Sequence, residues 1–509
     1  MAALVEERAR LAPSRLAYAA GRAGRRLEYG ELGRLAAEWW VRLRSAGLGP
    51  GRRAGLQAED PLVFASSYLG LLAAGVTAVP LDPRLPPADG ARHLDRVGAD
   101  LLITDDPGAC AQATPVWWVD AGSRRVVGAS GRCRPRSLPD EEDPPAVLLL
   151  SSGTTGEPKV VPLREAQVLH VARLIARHHR LSSEDRGYSP LPLFHVNAQV
   201  VGLLATLVSG GSLVLDGRFH RTGCWELAQA WRVTWLNLVP AILAILAAGE
   251  APPGDVIRRV RFARTASAPL PSSTQRSFEE RCGISVLETY GMSEAASQIT
   301  ANPLRRRRRR QGSAGIPVGV RLRVVDAERR PCPVGEVGSV EIRGPSVIRH
   351  YLAAGEPPAG HRAARQADGW LVTGDLGRLD AGGFLQLTGR SDDVINRGGE
   401  KVYPREIEEV LRTESGVSDV MVAGQSDPVL GQCPVAYVVA GENADPAALA
   451  RRLQALAASR LSPSRRPVRL VVVDALPAGA TGKVSRRRLA AWEPGHVRAH
   501  LEVGEGRAS

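Results

Sequence analysis

The stretch LLLSSGTTGEPKVV, residues 148–161, decides how the rest of the chain is read. The apolar run AVLLLSS (146–152) has the character of a strand buried on both faces. It feeds a loop of glycine and hydroxyl residues that ends in Lys159. Glycine lets a backbone approach an anion closely, and hydroxyls with free N–H groups can wrap phosphate oxygens. The lysine adds a point charge. The Walker pattern GxxxxGK[ST] is absent, so the expected phosphate cradle is of another kind. An ordinary polar turn is the competing reading, and the length and specificity of the loop speak against it.

The surrounding sequence predicts an α/β fold. LEYGELGRLAAEWWVRLRSAG has helical spacing and stops at Gly47; FASSYLGLLAAG is a second helix; VTAVPLD and LLIT (101–104) are short apolar strands. This alternation implies parallel sheets covered by helices. Residues 121–145, rich in Gly, Arg, Pro and acids, are expected to be an irregular surface excursion. Near 390 the texture changes. A helix REIEEVLRT, strands VSDVMVAGQ and PVAYVVA, a helix PAALARRLQALAASRL and a strand RLVVVD make a compact α+β unit. The reading divides the chain into 1–390, 391–490 and a frayed polar tail, 491–509.

Composition narrows the function. With 44% hydrophobic and 23% charged residues over 509 positions, the chain has ample material for a core. VPAILAILAAG (239–249) is too short to cross a bilayer and is expected as a core helix. The charged N-terminus lacks an apolar signal core, so a cytoplasmic protein without a membrane partner is expected. The six cysteines form no CxxC pair, which argues against a zinc ribbon or disulfide framework. The net charge of +13 raises nucleic acid as a partner, but the run Arg305–Arg310 supplies six of those charges and has no interleaved aromatics. It is expected as a solvated loop, and no nucleic-acid partner is expected.

Further motifs follow in order: PLFH (192–195), TASAPL (265–270), ETYGMSE (288–294), TGDLG (373–377), GRSDDVINRGGEKVYPREIE (389–408) and PAGATGK (477–483). Together with the loop at 148–161 they closely resemble the adenylate-forming enzymes, which include acyl-CoA synthetases, nonribosomal adenylation domains and luciferases. The resemblance covers about residues 5–490. It implies a large N-terminal domain of parallel sheets with helices plus a β-barrel-like portion, and a small mobile C-terminal α+β domain.

The resemblance also implies roles. Ser151, Thr154, Thr155, Gly156 and Lys159 look like the pyrophosphate cradle, with Thr155 also counted as catalytic. Glu294 matches the magnesium-associated glutamate, since a hard cation favours an oxygen ligand. Ser293 stands where most members have threonine and keeps the hydroxyl. Asp375 would accept from the ribose hydroxyls, and Arg390 would contact the nucleotide. Tyr290, Gly291 and the segment Ser267, Ala268, Pro269 would flank adenine. His195 resembles a residue that gates substrate and thiol; a structural histidine is its rival reading. Val196, Asn197, Gln199, Thr265 and Thr289 would line the acyl pocket. Thr289 replaces a glycine of several long- or aryl-acid members, which points to a compact or polar acid. Asp392 would be the hinge, and Gly398 and Gly399 would line a pantetheine tunnel. Asn396 departs from the lysine of many aryl and fatty members.

Only three of the 66 Lys+Arg positions are lysine: Lys159, Lys401 and Lys483. All three fall inside these motifs. By resemblance Lys483 is the catalytic lysine, which reaches the α-phosphate and the attacking carboxylate. A lysine is a compact charge on a slim stem, whereas arginine is a wide planar fork. The expected activity is that of an AMP-forming acid–thiol ligase using ATP, Mg2+ and CoA on a small or medium carboxylic acid. NRGGEKVYPREIEEV, TASAPL and PLFHVNAQ favour free-standing acyl-CoA synthetases, oxalyl-CoA synthetase-like enzymes among them. The alternative is transfer of the activated acid, or of an oxyacid such as nitrite, to a carrier protein or an amine.

Overall fold

The computed structural model describes residues 1–109, 114–131, 143–151, 159–352, 362–363, 365–441, 444–477, 486, 489, 492 and 497–502. Two compact units are present: Met1–Leu322 with Ile342–Leu371, and Arg323–Glu341 with Val372–Ser509.

The first unit holds two large sheets. In one, strands Thr77–Pro80, Arg53–Gln57, Leu101–Thr104 and Val116–Val119 lie side by side and parallel. Val147–Ser151 joins beside Thr77–Pro80. In the other, Leu16–Ala20, Ser212–Leu215, Arg186–Ser189, Trp235–Leu238, Ala263–Thr265 and Val286–Met292 form a parallel array in that order. Parallel strands are buried on both faces, which is why Leu101–Thr104 and Ser212–Leu215 are apolar runs and not alternating ones. The helices fall where the spacing predicts them. Tyr29–Ser45 ends before Gly47, whose φ is 75°. Pro61–Ala73 is capped by Asp60, which accepts from the N–H groups of Leu62 and Val63, each at 3.0 Å. Pro240–Ala247 is a helix against the core, and no helix among the described residues is long and apolar enough to cross a membrane.

In the second unit, Gly431–Ala440 is the axis of a mixed sheet. It pairs with Val417–Asp427 and with Arg469–Val473. Helices Pro404–Leu411 and Pro446–Arg460 carry the apolar faces that form the core with this sheet. A β-rich part is built of Arg321–Val325, Gly338–Arg343, Leu371–Leu379 and Leu385–Arg390. Residues 372–390 group with this second unit, where Arg405 Nη1 donates to the Leu387 carbonyl at 2.7 Å.

Three expectations need correction. The tail 491–509 is not simply frayed: Val497–Glu502 pairs antiparallel with Arg469–Val473, and Leu501 packs on the core. The excursion 121–145 contains a strand, Val126–Ser130, paired with Val116–Val119; residues 132–142 lie outside those described. The arginine run is exposed except at Arg309, which turns inward. Arg309 donates to the carbonyls of Pro303, Val286 and Leu304 at 3.1, 2.7 and 2.8 Å, closing the turn around backbone oxygens.

Candidate active site

The hairpin that carries the expected cradle is fixed at both ends. Val147–Ser151 runs antiparallel to Lys159–Leu163, with Ser151 opposite Lys159. Thr154, Thr155 and Gly156, and the side chain of Ser151, lie outside the described residues. Lys159 Nζ stands 5.2 Å from the centre of the Tyr351 ring. Tyr351 in turn donates its hydroxyl to Glu294 Oε1 at 3.0 Å. One aromatic ring thus supports both a cation and a carboxylate. Tyr351 is held there because Leu352 N–H donates to the Val160 carbonyl at 3.0 Å, while Ile348 N–H donates to the Glu294 carbonyl at 2.8 Å. Glu294 lies on the short turn Ser293–Ala295 that follows strand Val286–Met292. Ala296 and Ser297 behind it have φ of 55° and 105°, left-handed values that non-glycine residues adopt at a cost. The sequence singled out Lys159 and Glu294 but not Tyr351, because the strand pairing that delivers Tyr351 leaves no local pattern.

A second group gathers on the parallel array. His195 is exposed, with its ring 4.3 Å from that of Phe194. Val196 leads into a π-helix, Asn197–Leu204, a form frequent at functional sites. Gln199 Nε2 donates to the Leu193 carbonyl at 2.9 Å and ties this helix to the PLFH segment. Asn197 Nδ2 donates to Ser267 Oγ at 3.2 Å. Ser267 has φ of 76°, so the exposed Ser267, Ala268 and Pro269 turn is held in a strained shape. Thr289 Oγ1 donates to the Thr265 carbonyl at 3.1 Å, linking the two threonines expected in the acyl pocket. Tyr290 and Gly291 continue the same strand, paired with Ser297–Ala301. The structure therefore links Asn197 to Ser267 and Thr289 to Thr265, and Asn197 is further bonded to Arg264, which with Asn237 the sequence reading did not select.

In the second unit, Arg390 Nη1 donates to Asp375 Oδ1 at 3.0 Å across paired strands. Asp375 N–H donates to Thr373 Oγ1 at 3.0 Å, and Ser391 Oγ donates to the Gly374 carbonyl at 3.1 Å. Gly374 has φ of 77°, and a Cβ there would meet Arg390 Nη2 at 2.7 Å. Gly374→Ala is expected to cost about 1–2 kcal/mol through the left-handed backbone alone. It should also push Arg390 off Asp375. A lower urea midpoint together with a raised KM for ATP would check this; an unchanged ATP KM would count against a nucleotide role for the pair. Asp392 is exposed, and its neighbour Asp393 is paired with Arg486. Gly398 and Gly399 have φ of 57° and 88° and form the two-residue turn between strands Ile395–Arg397 and Glu400–Val402. A turn of this kind requires positive φ at both positions, so the glycine pair has a structural reason of its own. Lys483 lies outside the described residues.

With this geometry in view, comparison with known proteins is informative. Residues 5–352 match the AMP-binding enzyme family, and residues 406–483 match the AMP-binding enzyme C-terminal domain. The chain belongs to the AMP-binding enzyme family. Among members of the family, a sulfoacetate–CoA ligase of Cupriavidus necator is 37% identical over 96% of this chain and 97% of its own. An oxalate–CoA ligase of Arabidopsis thaliana is 31% identical over 87% of this chain and 89% of its own. Among solved structures, o-succinylbenzoate CoA synthetase from Bacillus subtilis, in complex with its acyl-adenylate intermediate, superposes with a TM-score of 0.82. It is 26% identical and covers 97% of this chain and 99% of its own. ATP-bound MatB from Rhodopseudomonas palustris gives a TM-score of 0.84 at 26% identity, covering 96% of this chain and 98% of its own. The fold class read from the sequence is that of these family structures.

Proposed function

We propose that this family member is an AMP-forming acid–thiol ligase that activates a small or medium carboxylic acid with ATP and passes the acyl group to CoA. The observation that carries the reading is the Lys159–Tyr351–Glu294 set at the base of the hairpin loop. It supplies a cation for phosphate oxygens and a carboxylate on one rigid support. The similarity to CoA ligases over nearly the whole chain supports the same reading.

In the first half-reaction a carboxylate oxygen of the acid attacks the α-phosphorus of ATP. The bond from that phosphorus to the bridging oxygen breaks and pyrophosphate leaves. The protein's part is alignment and charge neutralisation. Ser151, Thr154, Thr155, Gly156 and Lys159 hold the departing phosphates. Asp375 takes the ribose hydroxyls, Arg390 contacts the nucleotide and is bonded to Asp375, and Tyr290, Gly291 and the Ser267–Pro269 turn flank the base. Glu294 suits magnesium: Tyr351 occupies Oε1, no described group donates to Oε2, and a carboxylate oxygen is a hard ligand. A bound magnesium would neutralise phosphate oxygens at Glu294, which Ser293 directly precedes in the sequence. In the second half-reaction the CoA sulfur attacks the acyl carbonyl carbon and AMP departs with the oxygen it received. Asp392 is the hinge proposed for this exchange, Gly398 and Gly399 line the pantetheine path, and His195 controls access. Val196, Asn197, Thr265 and Thr289 surround the acyl chain.

The test is pyrophosphate release from ATP over a panel of acids, nitrite included, each with and without CoA, with products identified by mass. A thioester formed only with CoA is expected. Acid-dependent pyrophosphate without a thioester would move the acceptor to a carrier protein or an amine. No acid-dependent pyrophosphate at all would overturn the ligase reading.

A further inference from the structure

Arg264 sits in the middle of the parallel array, on strand Ala263–Thr265, and is 1% exposed. Its Nη1 donates to Asn197 Oδ1 at 3.1 Å and to Asn237 Oδ1 at 3.0 Å. Its Nε is buried with no acceptor. No described carboxylate pairs with it, unlike the buried arginines Arg124 and Arg405, which face Glu31 and Glu409. The neighbouring groups are neutral. Asn237 Nδ2 donates to Ser189 Oγ at 3.3 Å and Asn197 Nδ2 to Ser267 Oγ, so both amides turn their oxygens toward the guanidinium. His178 and His179 are pushed below the usual imidazole range, first by burial and then by neighbouring charges including Arg264. Burial pushes Arg264 itself down to about 9, which leaves it cationic at neutral pH.

A buried charge held only by neutral oxygens is strongly unfavourable, which makes Arg264 a candidate for a role beyond packing. The position indicates the role. Thr265, the next residue on the strand, turns its side chain to the other face, but one asparagine, Asn197, joins Arg264 to Ser267. The π-helix that starts at Asn197 packs on strand Ser297–Ala301, where Gln298 is buried with both amide atoms unpartnered. Unused polar capacity therefore lies beside the helix that carries Asn197.

We propose that Arg264 selects the acid by receiving a second anionic group, a sulfonate or carboxylate, on a short acid whose first carboxylate is the one adenylated. This rests on the ligase reading above and names its substrate class. A guanidinium with free N–H groups matches a planar or tetrahedral oxyanion through charge-assisted hydrogen bonds. A monoanionic acid of the same shape would leave those donors unmet, which is the situation in which polar sites discriminate most strongly.

The test uses matched pairs on the full chain: sulfoacetate against methylsulfonylacetate, and oxalate against oxamate. Each pair keeps the shape and removes the second charge. For at least one pair, wild-type kcat/KM for acid-dependent pyrophosphate release is expected to favour the charged member by on the order of 100-fold or more. In Arg264→Met that ratio should fall towards one. The melting temperature of unliganded Arg264→Met should equal or exceed that of wild type, because an uncompensated charge is gone. A structural clamp would instead be marked by a lower melting temperature with an unchanged ratio, and that result would overturn the proposal. Equal use of charged and neutral members by the wild type would overturn it without any variant, so misfolding of Arg264→Met cannot shelter it. Thermal shift by sulfoacetate and oxalate is read in parallel. Stabilisation that depends on Arg264 but without pyrophosphate release would sink the ligase reading and leave the anion site standing. Absence of both stabilisation and turnover with the charged acids would sink the anion site.

Discussion

Lys483→Arg is expected to lower acid-dependent pyrophosphate release on the order of 10²–10³-fold, the loss typical of removing one preorganised charge from a transition state. The formal charge is unchanged, so the effect isolates shape. By family resemblance Lys483 must enter a narrow space between the α-phosphate and the attacking carboxylate, where a slim stem fits and a planar fork does not. The chain writes nearly every basic position as arginine yet has lysine here. Arg486, three residues on in the sequence, is bound to Glu408 and Asp393. The half-reactions separate the causes. Thioester formation from a supplied acyl-adenylate and CoA should survive in Lys483→Arg, since the resemblance removes this lysine from the site before thiolysis. Near-normal adenylation by the variant would refute the assignment.

Much of this was legible in the sequence, and the parts that were not share a cause. Helix Pro61–Ala73 and strand Leu101–Thr104 are written in local pattern and cap chemistry, so they could be read directly. Lys159, Glu294, Asp375 and Arg390 could be singled out as candidates because each sits in a motif. Tyr351 could not: it meets Lys159 and Glu294 only after Leu352 has bridged to Val160. Arg264 was hidden differently. In an arginine-rich chain one more arginine carries no signal, and only its place in the short strand Ala263–Thr265, directly after Phe262, hints that it is buried. Arg309 shows the converse, since a run that looks uniformly solvated spends one member on backbone carbonyls. The strand Val497–Glu502 was missed because its alternation is short and its partner, Arg469–Val473, lies beyond a stretch that reads as loop.

The second large effect is expected at Arg486. Its Nη2 donates to both carboxylate oxygens of Glu408 at 2.8 and 2.9 Å, Nη1 to Asp393 Oδ2 at 2.9 Å, and Nε to the Val422 carbonyl at 3.1 Å. The Glu408 and Asp393 side chains are only 6% and 17% exposed, so both are largely withdrawn from water. Burial alone would lower the Arg486 pKa; the charges of Glu408 and Asp393 outweigh it and hold the guanidinium above its usual range. Arg486→Met removes one partner of a buried ionic group and should cost about 3–5 kcal/mol, read as a lower urea midpoint. It should also slow adenylation, because the same bonds fix the chain three residues from Lys483 and next to the proposed hinge, Asp392. Positioning and stability can be told apart with the double variant Arg486→Met, Glu408→Met. Replacing a buried pair by apolar side chains of similar volume is often neutral or stabilising, so much of the lost stability should return. Adenylation should not return, since the tether is still absent. If it returns in step with the urea midpoint, Arg486 only holds the second unit together. If kcat for adenylation stays low while stability and the ATP KM recover, Arg486 positions the lysine that does the chemistry.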